Sequence, residues 1–86
     1  MDASKVRFTK HAEQKFDLLK KYGFEITKEK VIRTVLKPKR LDKKANQCFA
    51  VAILDSKYGL RVVYEERKAY KVIITFYPVR RERYGI

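Results

Sequence analysis

Arginine and tyrosine side chains are interleaved near the C-terminal end of the sequence. Residues 77–84 contain three arginines and two tyrosines, namely Tyr77, Arg80, Arg81, Arg83 and Tyr84. A guanidinium group can hold a phosphate through two parallel hydrogen bonds, and a tyrosine can stack on an unpaired base or offer its hydroxyl proton. This combination favours RNA contact over the alternative of a merely charged tail.

A second basic run lies in the middle of the sequence, at residues 37–44. Its five cations are Lys37, Lys39, Arg40, Lys43 and Lys44. We expect a mobile loop between the helices and the sheet, able to bind a phosphate backbone without reading base sequence. A solvated polar loop with no partner is the alternative interpretation.

His11 is the only imidazole in the sequence. At helical spacing it shares a row with Lys15, Leu18 and Tyr22, beside the predicted buried stripe. A half-buried structural or capping histidine is one interpretation. A general base is the other, because only histidine titrates unaided near neutral pH.

The sequence excludes several other kinds of chemistry. Glu65 and Glu66 are adjacent in a predicted strand and point to opposite faces, so they cannot form a catalytic carboxylate pair. Cys48 is the only cysteine and lies in an apolar run, where we expect it to be buried rather than part of a disulfide or four-ligand metal site. No glycine-rich phosphate loop or dinucleotide turn occurs. We therefore expect no metal and no cofactor.

The charge balance points to an anionic partner. The 86 residues include 22 Lys and Arg against 10 Asp and Glu, a formal net charge of +12. Nucleic acid, an anionic membrane surface or an acidic protein could use this excess. No apolar stretch approaches the ~20 residues that span a bilayer, and no signal region is present, so we expect a cytoplasmic protein without a membrane. High charge with few side-chain amides is typical of proteins from hot habitats.

The length allows one domain over residues 1–86, and its N-terminal half has the pattern of helices. A short strand is predicted at residues 6–8, followed by a helix from Lys10 to Tyr22 that Thr9 caps and Gly23 ends. Its buried stripe is expected at Ala12, Phe16 and Leu19. Thr27 caps a second predicted helix, which Pro38 ends.

The second half has the pattern of strands. We predict strands at residues 47–54, 58–66 and 70–77 in an antiparallel sheet of three or four strands, with both helices on one face. In the last strand, strict alternation would place Ile73 and Phe76 on opposite faces. The predicted fold class is α+β.

Three consecutive motifs resemble the C-terminal half of RelE/ParE-type toxins. They are an arginine-containing strand ending in a Tyr-Glu pair (Arg61, Tyr64, Glu65), the hydrophobic strand at residues 72–77, and the Arg-Arg-x-x-Tyr signature at residues 80–84. The order of the preceding helices agrees. The opening Phe8-Thr9-Lys10-His11-Ala12 also looks like a branch of small prokaryotic proteins allied to that superfamily.

The resemblance implies a RelE-like fold and a metal-independent endoribonuclease toxin. Such an enzyme cleaves messenger RNA, often on the ribosome, by attack of the ribose 2′-hydroxyl, and an acidic antitoxin protein restrains it. Carried over by position, the catalytic residues are Arg61, Arg81 and Tyr84, with Arg80 beside them. Pro78-Val79 stands where the family often has Gly-His or Gly-Tyr, so one acid/base group is missing. A family lysine cannot be assigned among those of residues 37–44.

Two other functions stay open at this point. The first is a non-catalytic RNA- or DNA-binding module of the same fold, which the missing acid/base group favours. The second is a ParE-like inhibitor that binds a protein target such as gyrase.

Overall fold

Two helices and a five-stranded mixed sheet make up the α+β fold of this protein. The computed structural model describes residues 5–86, and residues 1–4 of the predicted domain lie outside the described residues. The elements in chain order are β1 (Val6–Phe8), α1 (Lys10–Lys21), α2 (Lys28–Leu36), β2 (Arg40–Lys44), β3 (Gln47–Ile53), β4 (Tyr58–Glu66), β5 (Lys71–Arg80) and a 3₁₀ turn (Arg81–Arg83). Within residues 5–86, no helix is long and apolar enough to cross a bilayer.

The sheet is larger than predicted and is not wholly antiparallel. Its strand order is β1-β5-β4-β3-β2. The β1 strand pairs in parallel with β5, whereas the other neighbours are antiparallel. The prediction of a loop over the whole basic run was wrong, because residues 40–44 form β2. All five β2 residues are exposed, so this edge strand lacks the apolar alternation by which strands are recognised.

Both helices begin where the sequence predicts. The Thr9 side chain accepts a hydrogen bond from the Ala12 N–H at 3.1 Å, and the Thr27 side chain accepts one from the Lys30 N–H at 3.1 Å. These bonds satisfy backbone donors that a helix leaves unpaired at its start. Gly23 follows the end of α1 at φ +88°, a conformation that glycine adopts without steric cost.

The core lies between the two helices and one face of the sheet. From α1 and α2 it receives Ala12, Leu19, Val31 and Val35, and from the sheet Cys48, Ala50, Leu60, Val62, Tyr64, Ile73 and Phe76. Phe16 packs against this core, with its ring centroid 4.7 Å from that of Phe76. Because both helices contribute to one cluster, they cover the same face of the sheet, as predicted.

A β-bulge changes which residues of β5 face the core. Val63 pairs with Thr75, but the next residue, Tyr64, pairs with Ile73, so Ile74 has no partner in β4. The extra residue shifts the alternation. Ile73 and Phe76 are consequently both fully buried in the same core, and their predicted placement on opposite faces was wrong.

Candidate nucleic-acid interface

Arg61 lies near the middle of the sheet face that the helices leave uncovered, called here the helix-free face. In β4 it is paired with Tyr77 of β5 and with Val51 of β3. Its neighbours Leu60 and Val62 belong to the core, so alternation directs Arg61 to the opposite side. The Arg61 Nη1 group donates hydrogen bonds to the hydroxyl oxygens of Tyr77, at 3.1 Å, and Tyr84, at 3.2 Å.

The C-terminal turn brings Tyr84 over the sheet. The Arg81 N–H donates to the Lys57 carbonyl at 3.1 Å, and the Tyr84 N–H donates to the Arg81 carbonyl at 3.0 Å. Gly59 leaves the space for this turn. A Cβ atom there would lie 3.0 Å from the Ile86 Cδ1 atom and 3.0 Å from a backbone oxygen. The pairing of Arg61 with Tyr84 therefore depends on the local conformation of residues 81–86.

Cations and tyrosine rings follow one another across the helix-free face, in the order Lys15, Tyr77, Arg61, Tyr84 and Arg40, called here the cation–tyrosine row. Lys15 Nζ and Arg61 Cζ each lie 5.9 Å from the Tyr77 ring centroid. Arg61 Cζ and Arg40 Cζ lie 5.6 and 5.8 Å from the Tyr84 ring centroid. Each tyrosine is therefore shared by two cations.

Within residues 5–86, no carboxylate neutralises the positive charge of Arg61. None of the carboxylates in this part of the chain lies within ion-pair distance of its guanidinium group. Its Nε atom is buried and has no hydrogen-bond acceptor in the described part of the chain, and its Cζ atom lies 4.7 Å from the Phe49 ring centroid. A buried N–H of a charged group without an acceptor is costly. The arrangement leaves an unmatched cation where an anion could bind.

His11 and Lys15 approach this face from α1. His11 Nε2 and Thr75 Oγ1 share a hydrogen bond of 3.2 Å, and Lys15 lies over the Tyr77 ring. Four residues of a helix advance about 6 Å, and two residues of a strand advance about 6.6 Å. The two α1 side chains therefore match the spacing of the two β5 side chains. The sequence placed Lys15 in a row with His11, but only the fold shows that this row meets β5.

Arg81 occupies a different place from the other predicted catalytic residues. Its Nε donates to the Ile86 carbonyl at 3.1 Å, and its Nη1 donates to the carbonyls of Asp55 and Ser56 at 3.2 and 3.3 Å. These bonds tie the C-terminal turn to the turn between β3 and β4. A direct catalytic role for Arg81 stays a prediction, and its guanidinium forms no hydrogen bond with Arg61 or Tyr84.

The remaining arginines of the C-terminal cluster do not join the row. Arg80 lies over the Tyr58 ring, with 5.6 Å from Cζ to the centroid. It is an even number of residues from Phe76, so it points to the helix side of the sheet. Arg83 is exposed. The eight-residue cluster therefore divides between two faces, and only its tyrosines meet at Arg61.

The basic run at residues 37–44 is divided in the same way. Alternation along β2 places Arg40 and Lys44 on the helix-free face, because they pair with Val51 and Gln47. Lys43 lies on the other side, 3.7 Å from a Glu66 carboxylate oxygen. Lys37 caps the end of α2, and the Lys39 N–H donates to the Val51 carbonyl at 2.8 Å. Contrary to the prediction, the five cations therefore do not lie together on one flexible loop.

Two groups with perturbed pKa values lie away from the row. Backbone N–H groups of Tyr58 and Lys57, at 2.7 and 2.8 Å, lower the pKa of Asp55 in the turn after β3. Burial, together with the neighbouring Cys48 and Glu66, raises the pKa of Tyr64. Cys48 is buried as predicted. Both groups belong to the framework of the fold and not to the helix-free face.

Neither a metal cluster nor a known relative identifies this site. Among the described residues, no group of three or more His, Cys, Asp or Glu side chains is arranged to hold a metal ion. Comparison of the chain with protein-family models, curated proteins and solved structures gives no significant match in any of the three. The proposals below therefore depend on the chemistry of the helix-free face.

Proposed function

We propose that this protein is a metal-independent endoribonuclease that binds RNA across the helix-free face. The main support is Arg61, a partly buried guanidinium with two tyrosine hydroxyls beside it and, among the described residues, no carboxylate that pairs with it. Such a group suits a phosphate that gains negative charge during reaction. The net charge of +12 supports a polyanionic substrate.

The proposed reaction is transesterification within the RNA chain. The ribose 2′-oxygen forms a bond to the adjacent phosphorus as its proton leaves to a base, and the bond from phosphorus to the 5′-oxygen breaks as that oxygen receives a proton. The products are a 2′,3′-cyclic phosphate and a 5′-hydroxyl. Arg61 stabilises the charge on the phosphorane, and Tyr84 or Tyr77 supplies the proton to the leaving oxygen. His11 is the candidate base, at the α1 end of the row.

The biological setting proposed with this activity is a RelE-like toxin acting on messenger RNA, on or off the ribosome. An acidic protein is the expected restraining partner, because it would neutralise the same cations that bind RNA. Arg61 and Tyr84, two residues that the toxin resemblance selected, lie within hydrogen-bonding distance of each other, which supports the proposal.

A non-catalytic RNA-binding module is the second candidate. The observation that favours it is Arg81, whose three side-chain hydrogen bonds within residues 5–86 all go to backbone carbonyls. Because those bonds hold the Arg81 guanidinium on backbone carbonyls, Arg81 is less able to stabilise a charged phosphorane, which favours binding without cleavage. The two candidates share an interface and differ only in whether the chemical step follows.

The test is cleavage of a translated messenger RNA, with and without ribosomes and with a metal chelator present. We compare the wild type with Arg61→Gln and Tyr84→Phe, and with Arg83→Gln as a control that removes an exposed charge. We expect Arg61→Gln to slow cleavage by roughly ten- to a thousandfold and Arg83→Gln to leave the rate unchanged. Circular dichroism verifies that each variant is folded.

Each outcome decides between the two candidates. A wild-type protein that binds RNA but does not cleave it under any condition leaves the binding module as the function. Equal rate losses in Arg61→Gln and Arg83→Gln would show that the overall charge matters, and that Arg61 has no special role.

A further inference from the structure

The cation–tyrosine row is continuous from α1 at one side of the sheet to β2 at the other. Arg61 and each outer cation, Lys15 or Arg40, share one tyrosine ring. The distance between two cations that share a ring therefore cannot exceed the sum of their distances to the centroid of that ring. Phosphates recur regularly along an RNA strand, so a row of cations linked through shared tyrosine rings suits a strand laid along it.

We infer that an extended single strand of RNA crosses the helix-free face along this row, with one phosphate each at Lys15, Arg61 and Arg40. The inference rests on the proposed function for the identity of the ligand as RNA. It adds the path of the strand, its pairing state and two contacts, Lys15 and Arg40, at either side of the reacting phosphate.

The depth of the row favours a single strand over a duplex. Arg61 is partly buried, with its Nε atom inaccessible, whereas the side chain of Arg40 is 48% exposed. Arg61 is thus recessed below the level of Arg40. A single strand can bend to lower one phosphate to Arg61, but a duplex is stiff over lengths far greater than this face. The stacked bases of a duplex also leave no base free to meet the tyrosine rings.

The outer cations keep charge available for phosphate. Among the described residues, Lys15 forms no ion pair. Arg40 Nε donates to an Asp42 carboxylate oxygen at 3.0 Å, and its Nη1 donates to the Tyr84 carbonyl at 3.4 Å. The Asp42 pair is exposed and therefore weak. It orients the Arg40 guanidinium beside Tyr84 and leaves its Nη2 group without a hydrogen-bond partner among residues 5–86.

The salt dependence of binding tests this path. For a single strand, the logarithm of the binding constant falls with the logarithm of salt concentration, with a slope of about −0.7 for each phosphate contacted. We therefore expect Lys15→Gln and Arg40→Gln each to reduce the magnitude of the slope by about 0.7. The matched controls are Lys20→Gln on α1 and Arg33→Gln on α2, which remove one exposed charge each, away from the row.

The probe is a short single-stranded RNA whose riboses carry 2′-O-methyl groups, so that it lacks the hydroxyl needed for cleavage. A duplex of the same length and backbone is measured in parallel, and we expect the single strand to bind at least tenfold more tightly. If the control variants change the slope as much as the row variants do, diffuse electrostatic attraction explains the binding and the proposed path is wrong. Equal affinity for the duplex would overturn the single-strand inference.

Binding and cleavage separate this inference from the proposed function. If the row variants lose slope while the wild type never cleaves unmodified RNA, the path stands and the nuclease proposal fails. If the wild type cleaves RNA while the row variants keep the full slope, the nuclease proposal stands and the path fails. A wild type that binds no RNA overturns both.

Discussion

Replacement of Arg61 by methionine tests whether this arginine serves anion binding or the stability of the fold. The change removes two hydrogen bonds from a charged donor to tyrosine hydroxyls, worth about 1.5–3 kcal/mol each in net terms. It also removes a buried, charged Nε donor with no acceptor among residues 5–86, which relieves at least about 1–3 kcal/mol. The Phe49, Tyr77 and Tyr84 rings lose cation–π contacts worth about 0.5–1 kcal/mol each. Contacts with the methionine sulfur, worth about 0.3–1.5 kcal/mol each, replace them.

These terms oppose one another, so we expect Arg61→Met to lower the free energy of unfolding by no more than about 3 kcal/mol. Loss of one partner from a buried ion pair would instead cost about 3–5 kcal/mol. The measurement is urea unfolding at low salt, with Arg83→Met as the exposed control. Inorganic phosphate at ten times its dissociation constant should stabilise the wild type by about 1.4 kcal/mol and should not stabilise Arg61→Met.

Two results would refute this reasoning. A loss of more than about 3 kcal/mol in Arg61→Met would place the residue among structural charges that the fold requires. Equal stabilisation of wild type and variant by phosphate would show that the anion binds elsewhere on this basic surface.

The other predictions concern the turns that support the row. Arg81→Ala should lower the free energy of unfolding by about 1–3 kcal/mol, because three carbonyls lose their donor. Arg81→Lys should recover part of this lost stability. Loss of cleavage at unchanged stability would instead assign Arg81 to the reaction. For Asp55, the lowered pKa means that its carboxylate contributes stability above its ordinary value of 3.8, and that this contribution is lost as the pH falls through the lower, folded-state pKa. Asp55→Asn should therefore show a smaller decrease in stability than the wild type in unfolding measured between pH 5 and pH 2, and identical pH profiles would contradict it.

Local signals in the sequence were sufficient for the helices and the central strands. Thr9 and Thr27 were recognisable as caps because a side-chain oxygen before an amphipathic run satisfies the first free N–H groups of the helix. The bounds of β4 at residues 58–66 were predicted correctly, since turn residues flank an apolar run there. Such signals act over a few residues and do not depend on the rest of the chain.

The features that failed prediction depend on contacts between distant segments. The charged strand β2 exists because its backbone pairs with β3, and pairing leaves no trace in an exposed, polar side-chain pattern. The bulge at Ile74 is a property of the β4–β5 register. For the site, the toxin resemblance selected Arg61 and Tyr84, which lie together, but no local pattern could show that Lys15 meets Tyr77 while Arg81 binds carbonyls.

The parallel pairing of β1 with β5 also determines when the protein can finish folding. Val6 pairs with Lys71, and the Thr9 N–H donates to the Ile73 carbonyl, so the first strand must wait for the last one. Closing so long a loop carries an entropic cost before any contact offsets it, which slows folding. During synthesis, the strands β2 to β4 are available before β5 leaves the ribosome. A partly synthesised chain that ends before β5 therefore lacks both the complete five-stranded sheet and the complete cation–tyrosine row, and both can form only after residues 71–84 have been synthesised.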